Sequence, residues 1–135
     1  MTDRETLEAR RMRGIGGAPT RATTLPDGAK RKEFPVASGV LDYFPDALVA
    51  VAEVSYRGNQ QHNPGQPIHW ARDKSTDEAD TMIRHFLQRG LRDTDGIRHS
   101  AKMAWRALAI LQKEIEAEQD QAILHQEIEA EQGCG

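Results

Sequence analysis

The chain has 135 residues, of which 38% are hydrophobic, 29% are charged and only 5% are aromatic. This length fits one domain, and the few apolar side chains allow only a small core, so we expect a helical domain that completes its core by homo-oligomerisation. No apolar run approaches the roughly 18 residues that span a bilayer, and no signal-peptide pattern opens the chain, so we predict a cytoplasmic protein with no membrane contact.

The formal net charge of −3 hides an uneven distribution. Seven of the 21 acidic residues lie between Glu114 and Glu131, which leaves 14 acids against 18 bases in the rest of the chain. This mildly basic body suits a phosphorylated small-molecule ligand, but it does not predict a specific nucleic-acid surface. The single cysteine, Cys134, excludes a disulfide within the chain and a thiolate metal cluster.

Residues 1–39 are basic and interrupted by glycine and proline, so we interpret them as an arm or linker. A short helix is predicted over Thr6–Arg13, and the run from Gly14 to Pro19 ends it. The segment is either a solvated tail or a basic arm that contacts a partner subunit or phosphates. The bases of such an arm are Arg10, Arg11, Arg13, Lys30, Arg31 and Lys32.

A first helix is predicted over residues 44–58, with Pro45 at its first position and a stop at Gly58-Asn59. The run Ala47–Ala52 is apolar on every face, which indicates a buried helix. Residues 59–75 are then predicted to form a loop, because prolines, glycine and side-chain amides dominate them.

A second helix is predicted to start at Ser75-Thr76-Asp77-Glu78, an S-x-x-E capping box, and to end at Gly90. Asp93-Thr94-Asp95-Gly96 is predicted to cap a third helix. Its apolar stripe has steps of four and three residues: Ile97, Ala101, Ala104, Leu108, Leu111 and Ile115. The third helix should continue past residue 115 into a tail in which Glu-Ile-Glu-Ala-Glu-Gln occurs twice.

No strand pattern of any length is present, so the predicted fold is all-α. We expect a small helical bundle at residues 40–115 between the basic N-terminal arm at 1–39 and a long acidic C-terminal helix at 116–135.

Glu53 is the first candidate for chemistry. A lone carboxylate in an apolar helical run has to be paired, protonated or bound to a metal ion. A structural partner is available in Arg57, four residues further on. Both readings of Glu53 stay open.

The predicted third helix supplies a polar row, in which Asp95, His99, Lys102 and Arg106 follow steps of four, three and four. An acid, an imidazole, an ammonium and a guanidinium in one row can hold a metal ion and a phosphate together. The alternative is a solvated face of weak ion pairs. Asp93 joins Asp95 and His99 at the predicted helix start, a place that commonly holds ions.

On the second helix, Asp80 and Asp77 share a face with Arg84, while Glu78 and His85 share another. Carboxylates three residues apart can share a divalent cation. The alternative is that Asp77 and Glu78 complement the helix dipole and that Asp80 pairs with Arg84.

The loop holds amides, imidazoles and an indole that suit a nucleobase, and bases that suit phosphate. Its candidates are Asn59, His62, Asn63, Gln66, His69 and Trp70 for the base, with Arg72 and Lys74 for phosphate. The alternative is a loop whose polar side chains face water.

These residues, in order, resemble the phage dATP/dGTP diphosphohydrolase N-terminal domain family over about residues 39–113. The resemblance is carried by Leu41-Asp42-Tyr43-Phe44-Pro45-Asp46-Ala47-Leu48, Gly58-Asn59, His62-Asn63, Trp70, Arg84-His85, Asp95-Gly96-x-x-His99 and Ala104-Trp105. Members look like compact all-α relatives of the MazG-type nucleotide pyrophosphohydrolases. The resemblance implies conversion of a purine deoxynucleoside triphosphate to its monophosphate and pyrophosphate, by a homo-oligomer with Mg²⁺ or Mn²⁺.

The resemblance also implies roles for individual residues. Glu53, Asp95 and His99 would be catalytic, and the metal ligands would be Glu53, Asp80, His85, Asp95 and His99. The nucleotide would be bound by Asn59, His62, Asn63, Trp70, Arg72, Lys74, Arg84, Lys102 and Arg106. The chain departs from the MazG-type pattern because its core lacks an E-x-x-E and E-x-x-D pair of helices.

Two other functions compete with hydrolysis. The missing pair of acidic motifs, and the excess of basic and amide groups, favour a phage nucleotide-binding sponge that sequesters a cyclic signalling nucleotide against host defence. The third reading is an interaction module built around the acidic tail and the basic arm, which deletion of residues 116–135 would test.

Overall fold

The computed structural model of the chain describes Leu25 and residues 27–133. Three α-helices account for most of them: α1 (Pro45–His62), α2 (Glu78–Leu87) and α3 (His99–Gly133). Short 3-10 helices at Gly28–Glu33 and Arg72–Lys74 and a π-helical turn at Ala37–Leu41 complete the helical elements. The all-α prediction is confirmed for this part of the chain, where the β-structure is limited to an isolated bridge between Arg92 and Arg98.

The described residues divide into two compact units, the first ending at Lys74 and the second beginning at Ser75. The predicted Thr6–Arg13 helix, its Gly14–Pro19 terminator and Cys134 lie outside the described residues. Within those residues no single helix is both long and apolar enough to cross a membrane, although Gly28–Leu41 and Pro45–His62 meet that test as a pair bent by 85°.

In the first unit, α1 is longer than predicted. Pro45 occupies its start as expected, but the helix passes through Gly58 and Asn59 and ends at His62, so the predicted stop at Gly58-Asn59 and the predicted start of the loop at residue 59 are wrong. A glycine inside a helix costs only about 1 kcal/mol. Asn59 offsets that cost because its buried side chain makes two hydrogen bonds to the following segment.

The prediction that α1 is buried is also wrong for its apolar run. None of the residues Ala47–Ala52 is buried, and Val49 is 71% exposed. The other helical elements described in this unit are only three to six residues long. Elements so short offer little apolar surface to cover a helix of 18 residues.

The second unit is a hairpin of α2 and α3. The predicted capping box at its start is wrong, because Ser75 Oγ donates to Asp77 Oδ1 at 2.9 Å and Glu78 turns inward. Asp77 occupies the N-cap position of α2 without a side-chain cap hydrogen bond.

The connection between α2 and α3 is a tight turn rather than a helix cap. The Asp93 N–H donates to the Ile97 carbonyl at 2.8 Å, and the Asp95 carboxylate accepts the Ile97 N–H at 3.0 Å. Gly96 has a φ of +83°, a conformation that favours glycine. The prediction that Asp93–Gly96 caps the third helix is therefore wrong, and α3 begins at His99.

The apolar core of the second unit is very small. Its buried apolar side chains among the described residues are Ile97, Ala101 and Ala109. The predicted stripe is correct for Ile97 and Ala101, but Leu108 and Leu111 are 50% and 51% exposed. The next buried apolar position after Ala101 is Ala109, which is 3% exposed, so the burial on α3 turns away from the face that carries Leu108.

A buried ion pair ties the start of α2 to the middle of α3. Glu78 is only 6% exposed, and its carboxylate lies 2.8 Å from Lys113 Nζ and 3.9 Å from Arg106 Nη1. The same two cations also bond Ser75, Lys113 through the Ser75 carbonyl and Arg106 through the hydroxyl. Burial raises the pKa of Glu78, but hydrogen bonds from Lys113 and the backbone, together with the charges of Lys113 and Arg106, outweigh burial and hold that pKa below its ordinary value of 4.5.

We expect Lys113→Met to destabilise the second unit by about 2–3 kcal/mol, because it leaves the Glu78 carboxylate buried without its nearest cation. The measurement is urea unfolding of the full chain followed by circular dichroism, with Lys113→Met and Glu78→Gln alone and combined. Glu114→Ala, a neighbouring change at an exposed position, is the matched control. A double variant that loses as much stability as the two single changes added together would contradict the pairing.

The pKa of Glu78 also predicts how acid affects stability. Because the folded-state pKa is lowered, the ionised carboxylate stabilises the folded state above about pH 4.5, and this contribution is lost as the pH falls through the folded pKa. Unfolding free energies measured from pH 5.5 to pH 2.5 should fall less steeply for Glu78→Gln than for the unmodified chain. Identical slopes for the two proteins would show that Glu78 is not preferentially ionised in the folded state.

Candidate metal and phosphate site

Two histidines meet where α2 and α3 join. His85 lies in the last turn of α2, His99 is the first residue of α3, and their Nδ1 atoms are 2.9 Å apart. His99 is only 5% exposed, and its N–H donates to the Leu91 carbonyl, which fixes the start of α3 against the turn. At this distance one Nδ1 donates and the other accepts, so the pair holds one proton between them.

Asp93 completes a group of three ligands, which we call the His–Asp–His cluster (His85, Asp93 and His99). One ligand atom from each residue lies within 4.8 Å of the other two. Ligands about 2.1 Å from one ion are roughly 3.0–3.4 Å apart when neighbouring. The 2.9 Å between the two Nδ1 atoms is close to that spacing, so the distance allows both nitrogens to bind one ion once the proton between them is lost.

A lysine lies beside this cluster. Lys102 Nζ is 2.7 Å from Asp93 Oδ2 and 2.7 Å from Asp95 Oδ2. Hydrogen bonding from Lys102, with that from the Thr94 N–H, lowers the pKa of Asp93 to about 2. Burial opposes the charge on Lys102, but the two carboxylates outweigh burial and raise its pKa. At neutral pH the site therefore contains two carboxylates and an ammonium, all charged.

His85 is kept neutral by its surroundings. Burial is the largest cause that lowers its pKa, and the interactions with His99, Lys102 and Arg106 lower that pKa further against the opposing charge of Asp93. A neutral imidazole is the form that binds metal ions.

The predicted metal set is only partly assembled in this cluster. His85 and His99 come together as expected. Their carboxylate partner is Asp93, which the sequence predicts at the helix start but not among the metal ligands. Asp95 contacts Lys102 but is not one of the three clustered ligands, and Asp80 is exposed and outside the cluster. The sequence signal for Asp93 was the Asp-Thr-Asp-Gly turn, whose first carboxylate folds back toward the helix that follows.

Glu53 belongs to the first unit and has the structural partner considered from the sequence. Its carboxylate lies 3.8 Å from Arg57 Nε, and both side chains are about half exposed, at 51% and 54%. An exposed pair of this kind contributes little to stability. The catalytic and metal roles for Glu53 stay predictions.

The predicted phosphate-binding cations of the second unit already have protein partners. Arg106 bonds Ser75 and faces Glu78, and exposed Arg84 bonds Thr81 at 2.8 Å and Asp77 at 3.4 Å. Of these cations, Lys102 is the one that contacts a member of the His–Asp–His cluster. It is therefore the cation best placed to meet an anion bound there.

In the first unit, Asn59 clamps the segment that follows α1. Its side-chain amide donates to the Gln66 carbonyl at 2.8 Å, and its side-chain oxygen accepts the His69 N–H at 3.3 Å. Asn59 is 9% exposed, so both polar ends of this candidate base-binding residue serve the fold.

The other base- and phosphate-binding candidates of the first unit take no part in these two hydrogen bonds. His62 and Lys74 are exposed, and Asn63 is half-buried as the residue that follows α1. The Arg72 guanidinium lies 4.2 Å from the centre of the Trp70 ring, a cation–π contact. Their roles in nucleotide binding stay predictions.

Comparison of the chain with family models, curated proteins and solved structures found no match. The geometry of the His–Asp–His cluster is therefore the main structural support for a function.

We expect Asn59→Ala to loosen residues 63–69, because it removes both hydrogen bonds that hold this segment to α1. Hydrogen exchange of the His69 amide should accelerate, and the loss of stability should be about 1–2 kcal/mol. Gln60→Ala is the matched control, since Gln60 is exposed and bonds only the neighbouring Tyr56 side chain. Unchanged exchange at His69 would contradict the clamp.

Proposed function

We propose that this protein is a metal-dependent hydrolase of nucleoside triphosphates that releases a monophosphate and pyrophosphate. The observation that carries the proposal is the His–Asp–His cluster with Lys102 in contact with one of its ligands. Three protein ligands leave coordination positions for water and a phosphoryl oxygen. A purine deoxynucleotide substrate is supported by the resemblance of the sequence to the phage dATP/dGTP diphosphohydrolase family.

The reaction needs a polarised phosphoryl oxygen, an attacking water and an acceptor for the proton that the water loses. A divalent cation, when bound, polarises a phosphoryl oxygen and lowers the pKa of a bound water. Water attacks the α-phosphorus, the bond between the α-phosphorus and the oxygen that bridges it to the β-phosphate breaks, and pyrophosphate leaves with the electron pair. The proton lost by the water passes to solvent or to a phosphate oxygen.

Lys102 is suited to a supporting role in this reaction. Its ammonium bridges Asp93 and Asp95, so Lys102 would keep one carboxylate partner instead of two if Asp93 held a metal ion. The released donors can then face the triphosphate, where positive charge stabilises the developing pyrophosphate.

A second candidate is a nucleotide sponge that binds its ligand without turnover. The observation that favours it is the same Lys102 bridge, because the bridge gives Asp93 a cationic partner without any metal ion. A sponge needs no metal ion and returns its ligand intact, so metal dependence separates the two functions.

The test is incubation of the purified chain with each nucleoside triphosphate, with Mg²⁺, Mn²⁺ or a chelator, and chromatography of the products. With metal present we expect monophosphate and pyrophosphate in equal amounts, and with chelator we expect neither product. His99→Ala should lower kcat by at least about a hundredfold. His125→Ala is the matched control, because His125 is an exposed histidine on the same helix.

Lys102→Gln separates the role of the lysine from that of the metal ligands. We expect it to lower kcat by about tenfold or more while metal binding persists, since it removes positive charge from the site. Intact triphosphates in every reaction would reject the hydrolase, and retention of a nucleotide by the same protein would then support the sponge.

A further inference from the structure

We infer that the His–Asp–His cluster is a site for a first-row transition-metal ion, such as Mn²⁺, Fe²⁺, Co²⁺ or Zn²⁺, and that it discriminates against Mg²⁺. The inference rests on the metal site of the proposed function and concerns which ion occupies it. It follows from the donor atoms, their positions and the lysine beside them.

The donor set is the first argument. Two of the three ligands are imidazole nitrogens, and only one is a carboxylate. Imidazole suits zinc, copper, iron and nickel, whereas Mg²⁺ takes oxygen ligands and keeps several of its waters. Two histidines with one carboxylate and open positions is also the ligand pattern of non-haem iron sites.

The placement of the donors is the second argument. The two Nδ1 atoms lie 2.9 Å apart, and they come from two helices whose relative position is held by the buried Glu78–Lys113 pair. Asp93 is oriented by hydrogen bonds from the Thr94 N–H and from Lys102. A cluster in which each ligand is already held loses little conformational entropy when an ion binds.

Lys102 is the third argument, because it competes with the ion for Asp93. An ion that relies on Asp93 alone has to overcome an ammonium 2.7 Å from the same carboxylate. Bonds to two imidazoles compensate a transition-metal ion for that repulsion. A hydrated Mg²⁺ gains little from nitrogen ligands and has no such compensation.

The experiment is titration of the full chain with Co²⁺ alone, followed by its visible d–d absorption. We expect saturation at one Co²⁺ per chain, loss of the bands in His85→Ala and in His99→Ala, and retention in His125→Ala. Circular dichroism of each variant checks that it is folded, and His99→Gln replaces any alanine variant that is not. Bands that survive in both folded histidine variants would overturn the assignment of the ligands.

Competition then tests the discrimination against Mg²⁺. A hundredfold excess of Mg²⁺ should leave the Co²⁺ bands unchanged, whereas equimolar Zn²⁺ should remove them. Displacement of Co²⁺ by Mg²⁺ would overturn the inference. Lys102→Gln should tighten Co²⁺ binding by about tenfold, because it removes the competing positive charge; unchanged or weaker binding would reject the competition.

The Co²⁺-binding experiment and the turnover experiment can fail independently of each other. Co²⁺ binding with no turnover of any triphosphate under Mn²⁺ or Zn²⁺ would reject the proposed function and leave the metal site standing. Turnover supported by Mg²⁺ in a chain that binds no Co²⁺ would reject the transition-metal site and leave the hydrolase standing.

Discussion

The carboxylate of Glu78 fixes the position of α2 along α3, and the candidate site depends on that position. Three buried apolar side chains, two of them alanines, provide little hydrophobic surface to determine how the helices align. An ion pair at 2.8 Å is directional, and a shift of one helical turn would move Lys113 by about 5.4 Å. The alignment that satisfies Glu78 is also the one that puts His85 opposite His99.

The same unit uses cations for structure at one end and places one near the cluster at the other. Arg106 and Lys113 satisfy Glu78, whereas Lys102, nearer the start of α3, holds Asp93 and Asp95. All three come from residues 99–113 of α3, a stretch that contains no acidic residue. The row of polar residues inferred from the sequence therefore exists, but its members divide between holding the helices together and surrounding the ligands.

Local chemistry made the helices predictable, whereas the meeting of His85 with His99 was implied only by the resemblance. The helix-forming tail, Pro45 at a helix start and the turn at Gly96 follow from the preferences of single residues. Contacts between distant residues were not predictable: Glu78 was assigned to a cap because its partner lies 35 residues away. Asn59 was assigned to a loop for the same kind of reason, since its hydrogen bonds to the residues that follow extend α1 past a glycine.

α3 also gives the second unit a mechanical asymmetry. With 35 residues it is about 52 Å long, whereas the 10 residues of α2 cover about 15 Å. Some 30 Å of acidic helix thus extends past Lys113, which bonds Glu78 at the start of α2. An α-helix of this length acts as a lever, so a tilt of about 10° at α2 would displace the far end by roughly 5 Å. With Lys113 as the pivot, His99 lies about 21 Å toward the other end of α3, so the same tilt would displace it by about 4 Å.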